Sequence, residues 1–204
     1  MTEKNLGLLE TMKHAQRVDG WFSDQDISLL YGVAVAAVNM FPKESIVEIG
    51  SYKGRSTIVL GGAAKGSGVS VFAIDPHEGQ IPGKPVPPTW DIFLENVRGP
   101  GLLSPDGPVV PIRSRSGVHA DLGPLSLLFI DGAHDRVSVL HDWINYAPTV
   151  APGRFVAFHD YWNPDFPGVK AVVEGLIADG VLEPFMSCAT PGRENSLFVT
   201  KRKA

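Results

Sequence analysis

Ser45-Ile46-Val47-Glu48-Ile49-Gly50-Ser51-Tyr52-Lys53-Gly54-Arg55-Ser56-Thr57 is the stretch on which the fold turns. Its first five residues make a short, largely apolar, β-branched run suited to a buried strand, and a Gly/Ser turn then leads into a helix expected over residues 56–64. Gly50 can take the tight turn and Gly54 allows a ligand to approach the backbone closely. An acidic residue two positions before the first glycine, Glu48, can grip a cationic or hydroxylated ligand. A dinucleotide loop would need three glycines as G-x-G-x-x-G, but position 52 is tyrosine, and a phosphate loop would need Gly-Lys-Ser/Thr.

Outward from this stretch, strand-like and helix-like runs alternate. Upstream, Ser23 followed by Asp24 and Asp26 marks a helix start. Ile27, Leu30, Tyr31, Ala34, Ala37, Val38 and Phe41 then share one face until Pro42 ends it. Downstream, strands are expected at 69–75, 109–113, 125–131 and 154–158, with a short helix at 90–98. A further helix should turn Leu140, Trp143, Ile144 and Ala147 inward. Another opens at Pro167 and closes at Gly180, with Val169, Val172, Val173, Leu176 and Ile177 inward. Runs near 181–187 and 196–200 read as a closing antiparallel pair. Pro111 cannot donate to a ladder, so its strand should lie at an edge. This alternation implies an α/β fold, a mostly parallel sheet covered on both faces.

Composition narrows the classes. A chain of 204 residues, 44% hydrophobic, suits one α/β core; one domain over 1–204 is expected, with an N-terminal helical segment over about 1–42. A formal charge of −4 gives no field for nucleic acid, and Lys201–Lys203 reads as a solvated tail. Cys188, the sole cysteine, rules out an internal disulfide and a Cys-based zinc site, which suits a reducing cytoplasm. Charges and His14 interrupt the first 17 residues, and no apolar run approaches the roughly 20 residues of a membrane span. A cytoplasmic protein with a small-molecule substrate, no nucleic acid and no membrane partner is the expectation.

Ligands of such sheets sit at the carboxyl ends of the strands. Those ends carry Glu48 and Gly50, Asp75, Ser114, Asp131 with His134, and His159 with Asp160. An aspartate ending the second strand can accept both hydroxyls of a ribose, so a nucleoside-type site is expected. Asp131 and His134 should converge with His159 and Asp160 on one place, enough for a divalent ion with open positions. The segment 76–88, with five prolines, can be neither helix nor central strand and would project over this edge as a loop or a lid. Tyr161, Trp162, Trp21 and Tyr31 could wall an acceptor pocket, Tyr31 equally suiting the core; His77, His141 and Asp142 are expected at the surface, and His14, His119 and Cys188 carry no role.

The runs Val47–Thr57, Ala73-Ile74-Asp75-Pro76, Phe129-Ile130-Asp131-Gly132-Ala133-His134 and Phe158-His159-Asp160-Tyr161 resemble a class I methyltransferase family of small bacterial O-methyltransferases, relatives of macrolide-sugar O-methyltransferases and of cephalosporin-hydroxylase-like proteins. The likeness spans roughly residues 21–200. It implies a Rossmann-like three-layer sandwich around a seven-stranded sheet of order 3-2-1-4-5-7-6. It implies S-adenosylmethionine as cofactor, with Glu48, Gly50, Ser51, Gly54 and Ser56 around the methionine part, Asp75 on the ribose and Ser114 near the adenine. Metal-dependent members hold Mg²⁺ through acidic residues at the positions of Asp131, His159 and Asp160, and the position of His134 supplies a base. This chain departs at Tyr52, where many relatives have glycine, and at His159, which replaces an oxygen ligand.

The function expected is O-methylation of a hydroxyl on a small metabolite, a sugar or a natural-product intermediate. His134 would take the hydroxyl proton, and Asp131, with Asp160 and His159, would hold Mg²⁺ or another divalent ion. The alternatives are an NAD-dependent oxidoreductase and a module that binds S-adenosylmethionine or S-adenosylhomocysteine without catalysis. A homodimer through the N-terminal helix is expected by family likeness.

Overall fold

The computed structural model describes residues 6–81, 84–117, 122–189 and 197–204; Pro82, Gly83, His119 and Ser196 lie outside them. Two helices come first, α1 (Leu8–Ala15) and α2 (Asp24–Met40). The sheet strands are β1 (Ser45–Ile49), β2 (Val71–Asp75), β3 (Val109–Arg113), β4 (Leu125–Ile130), β5 (Val150–Phe158), β6 (Leu182–Ser187) and β7 (Phe198–Arg202). Between them run α3 (Arg55–Ala64), α4 (Trp90–Arg98), α5 (Arg136–Tyr146) and α6 (Pro167–Ala178). The order across the sheet is 3-2-1-4-5-7-6. Strands β1 to β5 are parallel, and β7 runs antiparallel to both β5 and β6.

This is the Rossmann-like arrangement expected, with the Pro111 strand at one edge. Alternation along β1 explains the layers: Ile46 joins the core under α2 and α3, while Val47 and Ile49 join the core under α5 and α6. The strands are apolar on both sides because helices cover both faces, and β4 is buried along its whole length. Strand β5 starts four residues earlier than expected, at Val150. Its pairing with β4 shifts register between Leu125 and Leu127, where Pro152 lacks an N–H and Gly153 bends at φ +81°.

One helix face differs from the sequence reading. On α5 the buried residues are Val139, Asp142, Trp143 and Tyr146, whereas Ile144 is 59% exposed. The stripe sits further round because the hydroxyl of Ser116 donates to Asp142 and draws that carboxyl inward. Asp142 is therefore buried, not at the surface. On α6, Val169, Val172 and Val173 are buried as expected, with Leu176 and Ile177 packed partly against them. Helix α2 starts with the Ser23 cap: the Asp26 N–H donates to the Ser23 hydroxyl and the Ser23 N–H to the Asp26 carboxylate.

Among its described residues the proline-rich segment holds a two-residue ribbon, Gln80–Ile81 against Lys84–Pro85. Glu78 at its start pairs with Arg115 beyond β3 at 2.7 Å. No helix among the described residues is long and apolar enough to cross a membrane.

Candidate active site

The carboxyl ends of β1 and β2 form one half of the site. Gly50 turns at φ +90°, and a side-chain carbon there would collide with the backbone carbonyl of Asp131, so the bend after β1 lies directly on the end of β4. Asp75 ties two turns together: its carboxylate accepts the N–H of Tyr52 at 2.8 Å and of His77 at 2.6 Å. Both donors sit at positive φ, +45° and +55°, a backbone strain that the shared carboxylate offsets. Ser114 stands beside it, its N–H donating to the Asp75 carbonyl at 3.1 Å.

Beneath the bend, Glu48 is fully buried and accepts the hydroxyls of Ser56 and Thr57, each at 2.5 Å. Burial is the largest influence on it and overrides both hydroxyls, pushing its pKa up to about 7. Glu48 and Ser56 thus brace one another under the loop. The buried Ser51 hydroxyl has no hydrogen-bond partner among the described residues. Helix α3 begins behind Gly54 with no side-chain cap, which leaves its leading N–H groups open to an anion. An orphaned hydroxyl, an uncapped helix and a strand-end carboxylate fit an amino-acid nucleoside. His77 is not a solvent-facing residue as expected: it is buried against Trp90 and Phe93 and bonded to the Thr89 hydroxyl at 2.9 Å.

The other half is charged. Asp131 ends β4, His134 follows in the turn, and His159 and Asp160 end β5. His134 Nε2 lies 2.8 Å from Asp160 and 3.7 Å from Asp131. His159 Nδ1 lies 3.1 Å from Asp131 and 3.4 Å from Asp160. Asp160 sits at φ +59°, and the Asn163 amide donates to its carboxylate at 3.1 Å. The His134 ring stacks on Phe166 at 4.2 Å. Gly168, at the start of α6, lets that helix close on the turn, since a side-chain carbon there would meet the His134 carbonyl at 2.7 Å.

Electrostatics here runs opposite to Glu48. Burial alone would pull His134 down, but Asp131 and Asp160 outweigh it and lift its pKa to about 9. His159 is likewise raised well above the usual imidazole value, against its burial, by Asp131, Asp160 and Asp26. Burial would raise Asp160, yet the two imidazoles hold it well below the usual carboxylate range.

All four expected polar residues meet at this corner. Ligand atoms of Asp131, His134 and Asp160 lie within 4.8 Å of one another, while His159 stands behind the two carboxylates and is 3% exposed. His134 Nε2 and Asp160 make an ion-pair contact at 2.8 Å. Carboxylate oxygens mixed with imidazole nitrogens fit a first-row divalent ion better than Mg²⁺, which favours an all-oxygen shell.

Of the expected aromatic wall, Trp21 and Trp162 are 54% and 44% exposed, Trp162 standing edge-on to Tyr161 and Phe198, whereas Tyr161 is buried and stacked on Phe198. Trp21 lies 5.6 Å from Tyr52. Sequence reasoning missed Phe22, Phe166 and Asn163 around the corner, and it took Asp26 only as a helix-start residue. A groove of about 640 Å³ between α2 and β6, lined in part by Leu29, Val33, Phe185 and Met186, contains none of these groups.

Residues 47–161, more than half of the chain, match a family model described as a methyltransferase domain. Among solved structures, the O-methyltransferase NovP is 17% identical, with a TM-score of 0.70 over 89% of this chain and 81% of that one. An O-methyltransferase from Bacillus cereus in complex with SAH is 16% identical, with a TM-score of 0.67 over 96% and 90%. The O-methyltransferase TomG from Streptomyces achromogenes, involved in tomaymycin synthesis and solved with SAM, is 14% identical, with a TM-score of 0.67 over 100% and 92%. At these identities the likeness bears on the fold.

Proposed function

From the premise that this chain belongs to the methyltransferase-domain family, we propose that it is an S-adenosylmethionine-dependent O-methyltransferase acting on a hydroxyl of a small metabolite. The observation that carries the reading is the contact between the two halves: the Gly50 bend rests on the backbone of Asp131, so a ligand in the bend faces the Asp131–His134 corner.

When bound, the cofactor supplies a methyl carbon on a cationic sulfur, open to in-line attack. Gly50, Ser51 and Gly54 line its methionine part, with Glu48 and Ser56 bracing the loop from below. Asp75 takes the ribose hydroxyls and Ser114 borders the adenine. Trp21 and Trp162 offer flat apolar faces to a sugar or ring acceptor. His134 removes the acceptor proton, with Asp131 and Asp160 orienting its ring and stabilising the imidazolium that forms. Asp131, His159 and Asp160 would hold a divalent ion, which would supply a Lewis acid beside the acceptor hydroxyl. The acidic balance of the chain favours a small acceptor over nucleic acid, the lone cysteine suits the cytoplasm, and a homodimer through the N-terminal helices belongs to the same reading.

The test is incubation with S-adenosylmethionine labelled in its methyl group and a panel of hydroxylated sugars and phenols, with and without Mn²⁺ or Mg²⁺. Label in an ether of the acceptor is expected. S-adenosylhomocysteine binding with no transfer to any acceptor would favour a non-catalytic module, and NADH binding would favour an oxidoreductase.

A further inference from the structure

Asp26 is the most deeply placed carboxylate of the N-terminal segment, with no exposed surface. One oxygen accepts the N–H and hydroxyl of Ser23 at 3.0 and 2.5 Å. The other accepts the Leu197 N–H at 3.0 Å and the Cys188 thiol at 3.2 Å. An N-terminal cap contributes about 1 kcal/mol, whereas burying a carboxylate costs several kcal/mol. Capping alone does not account for this residue.

The remaining neighbour is His159, whose Nε2 points toward Asp26 at 3.9 Å and has no hydrogen-bond partner among the described residues. Its other nitrogen, Nδ1, faces Asp131 and Asp160 at 3.1 and 3.4 Å. Phe22 closes over the ring at 4.9 Å. The imidazole is therefore suspended between a buried carboxylate behind it and two carboxylates in front. A histidine that ligates a metal through one nitrogen regularly presents the other to a carboxylate, which fixes its tautomer and the direction of its lone pair.

We propose that Asp26 is a positioning residue for a divalent-metal site: its buried carboxylate behind Nε2 fixes the direction of the His159 ring, so that Nδ1 faces Asp131 and Asp160 and completes a mixed nitrogen–oxygen donor set selective for a first-row transition ion over Mg²⁺. This rests on the reading of the corner as a metal-assisted methyltransferase site. Because Asp26 also binds Leu197 and Cys188, the same carboxylate couples the donor set to the start of α2 and to the lead-in to β7.

The experiment is calorimetric titration of metal-free full-length protein with Mn²⁺, Mg²⁺ and, separately, S-adenosylhomocysteine, for the wild type, Asp26→Asn, Ser23→Ala and His159→Asp. Asp26→Asn should weaken Mn²⁺ binding about 10–100-fold and leave the S-adenosylhomocysteine affinity unchanged. Ser23→Ala, which loses the cap but keeps the Asp26–His159 pair, should bind Mn²⁺ as the wild type does. His159→Asp, with oxygen donors in place of Nδ1, should move the Mn²⁺/Mg²⁺ preference toward Mg²⁺ by about tenfold or more. Unchanged Mn²⁺ affinity in Asp26→Asn overturns the proposal, as does a wild type that binds neither ion or takes both equally. If Asp26→Asn does not fold, Asp26→Ser takes its place, with unchanged Mn²⁺ affinity again overturning the proposal, and an unmoved preference in His159→Asp overturns it as well. Failure of the wild type to bind S-adenosylhomocysteine would instead break the cofactor reading.

Discussion

The two halves of the strand-end site bury carboxylates to similar depths and obtain opposite chemistry from them. In the half built on β1 and β2, Glu48 is hydrogen-bonded only by hydroxyls, and burial, helped by the charge of Asp131, drives its pKa up to about 7. In the half built on β4 and β5, Asp160 meets two imidazoles and is held well below the usual carboxylate range. Burial is the first influence on both; what differs is whether a partner can carry positive charge. The first half thereby carries no ion pair at its buried carboxyl. The second is a charged, strained constellation in which the αL backbone of Asp160 is held by contacts from two elements.

If the halves divide the labour in this way, removing His134 should affect turnover alone. His134→Ala should cut methyl transfer by about 10²–10⁴-fold, measured with labelled cofactor at saturating acceptor, and leave S-adenosylhomocysteine affinity within about twofold by calorimetry. In the wild type, His134 must be unprotonated to act as a base, and without an ion on Asp131 and Asp160 its pKa is about 9. Turnover should therefore climb about tenfold per pH unit from pH 7 and level off near the pKa. A profile flat from pH 7 to 9 would dissociate His134 from proton removal.

Glu48 gives the next largest effect, on stability. An acid whose pKa rises from 4.5 unfolded to about 7 folded keeps its proton in the folded chain where the unfolded chain has lost it. Its contribution is fully favourable below about 4.5 and declines as the pH rises to about 7, by roughly 3 kcal/mol. Glu48→Gln should flatten that decline in urea unfolding curves taken at pH 5 and 7.5. An equal decline in both proteins would show that Glu48 is ionised throughout.

Asp75→Asn leaves the packing of the two turns but weakens the acceptor they share. It should lower cofactor affinity by about 1–2 kcal/mol, with the maximal rate at saturating cofactor nearly unchanged, read from the split between kcat and KM. Trp162→Ala should be milder, raising the acceptor KM by a few-fold, equivalent to about 1 kcal/mol of lost apolar contact, without touching cofactor binding.

The first half was the more legible in the sequence. The bend from Gly50 to Gly54 and the strand-end Asp75 are local signals, because a tight turn and a strand terminus are decided within a few residues. The edge position of β3 followed from Pro111 for the same reason. The meeting of Asp131, His134, His159 and Asp160 was also readable, since strand order alone brings the ends of β4 and β5 together. What escaped depended on distant partners. Asp142 turned inward because Ser116, 26 residues away, meets it. His77 was buried by Trp90 and Phe93 on the next helix. Asp26 announced its cap through the spacing to Ser23, but nothing local signals that it lies behind His159. Polar residues on amphipathic helices read as surface unless their partner is known, and the partner is a tertiary fact.

The function of the site turns on whether the Gly50–Asp75 half takes an adenosyl amino acid. Calorimetric titration of the purified chain with S-adenosylhomocysteine should show one molecule bound per chain, with the heat lost in a Gly50→Ala variant whose circular dichroism shows it still folded. No binding of S-adenosylhomocysteine or S-adenosylmethionine to the wild type, alongside saturable binding of NADH, would contradict it.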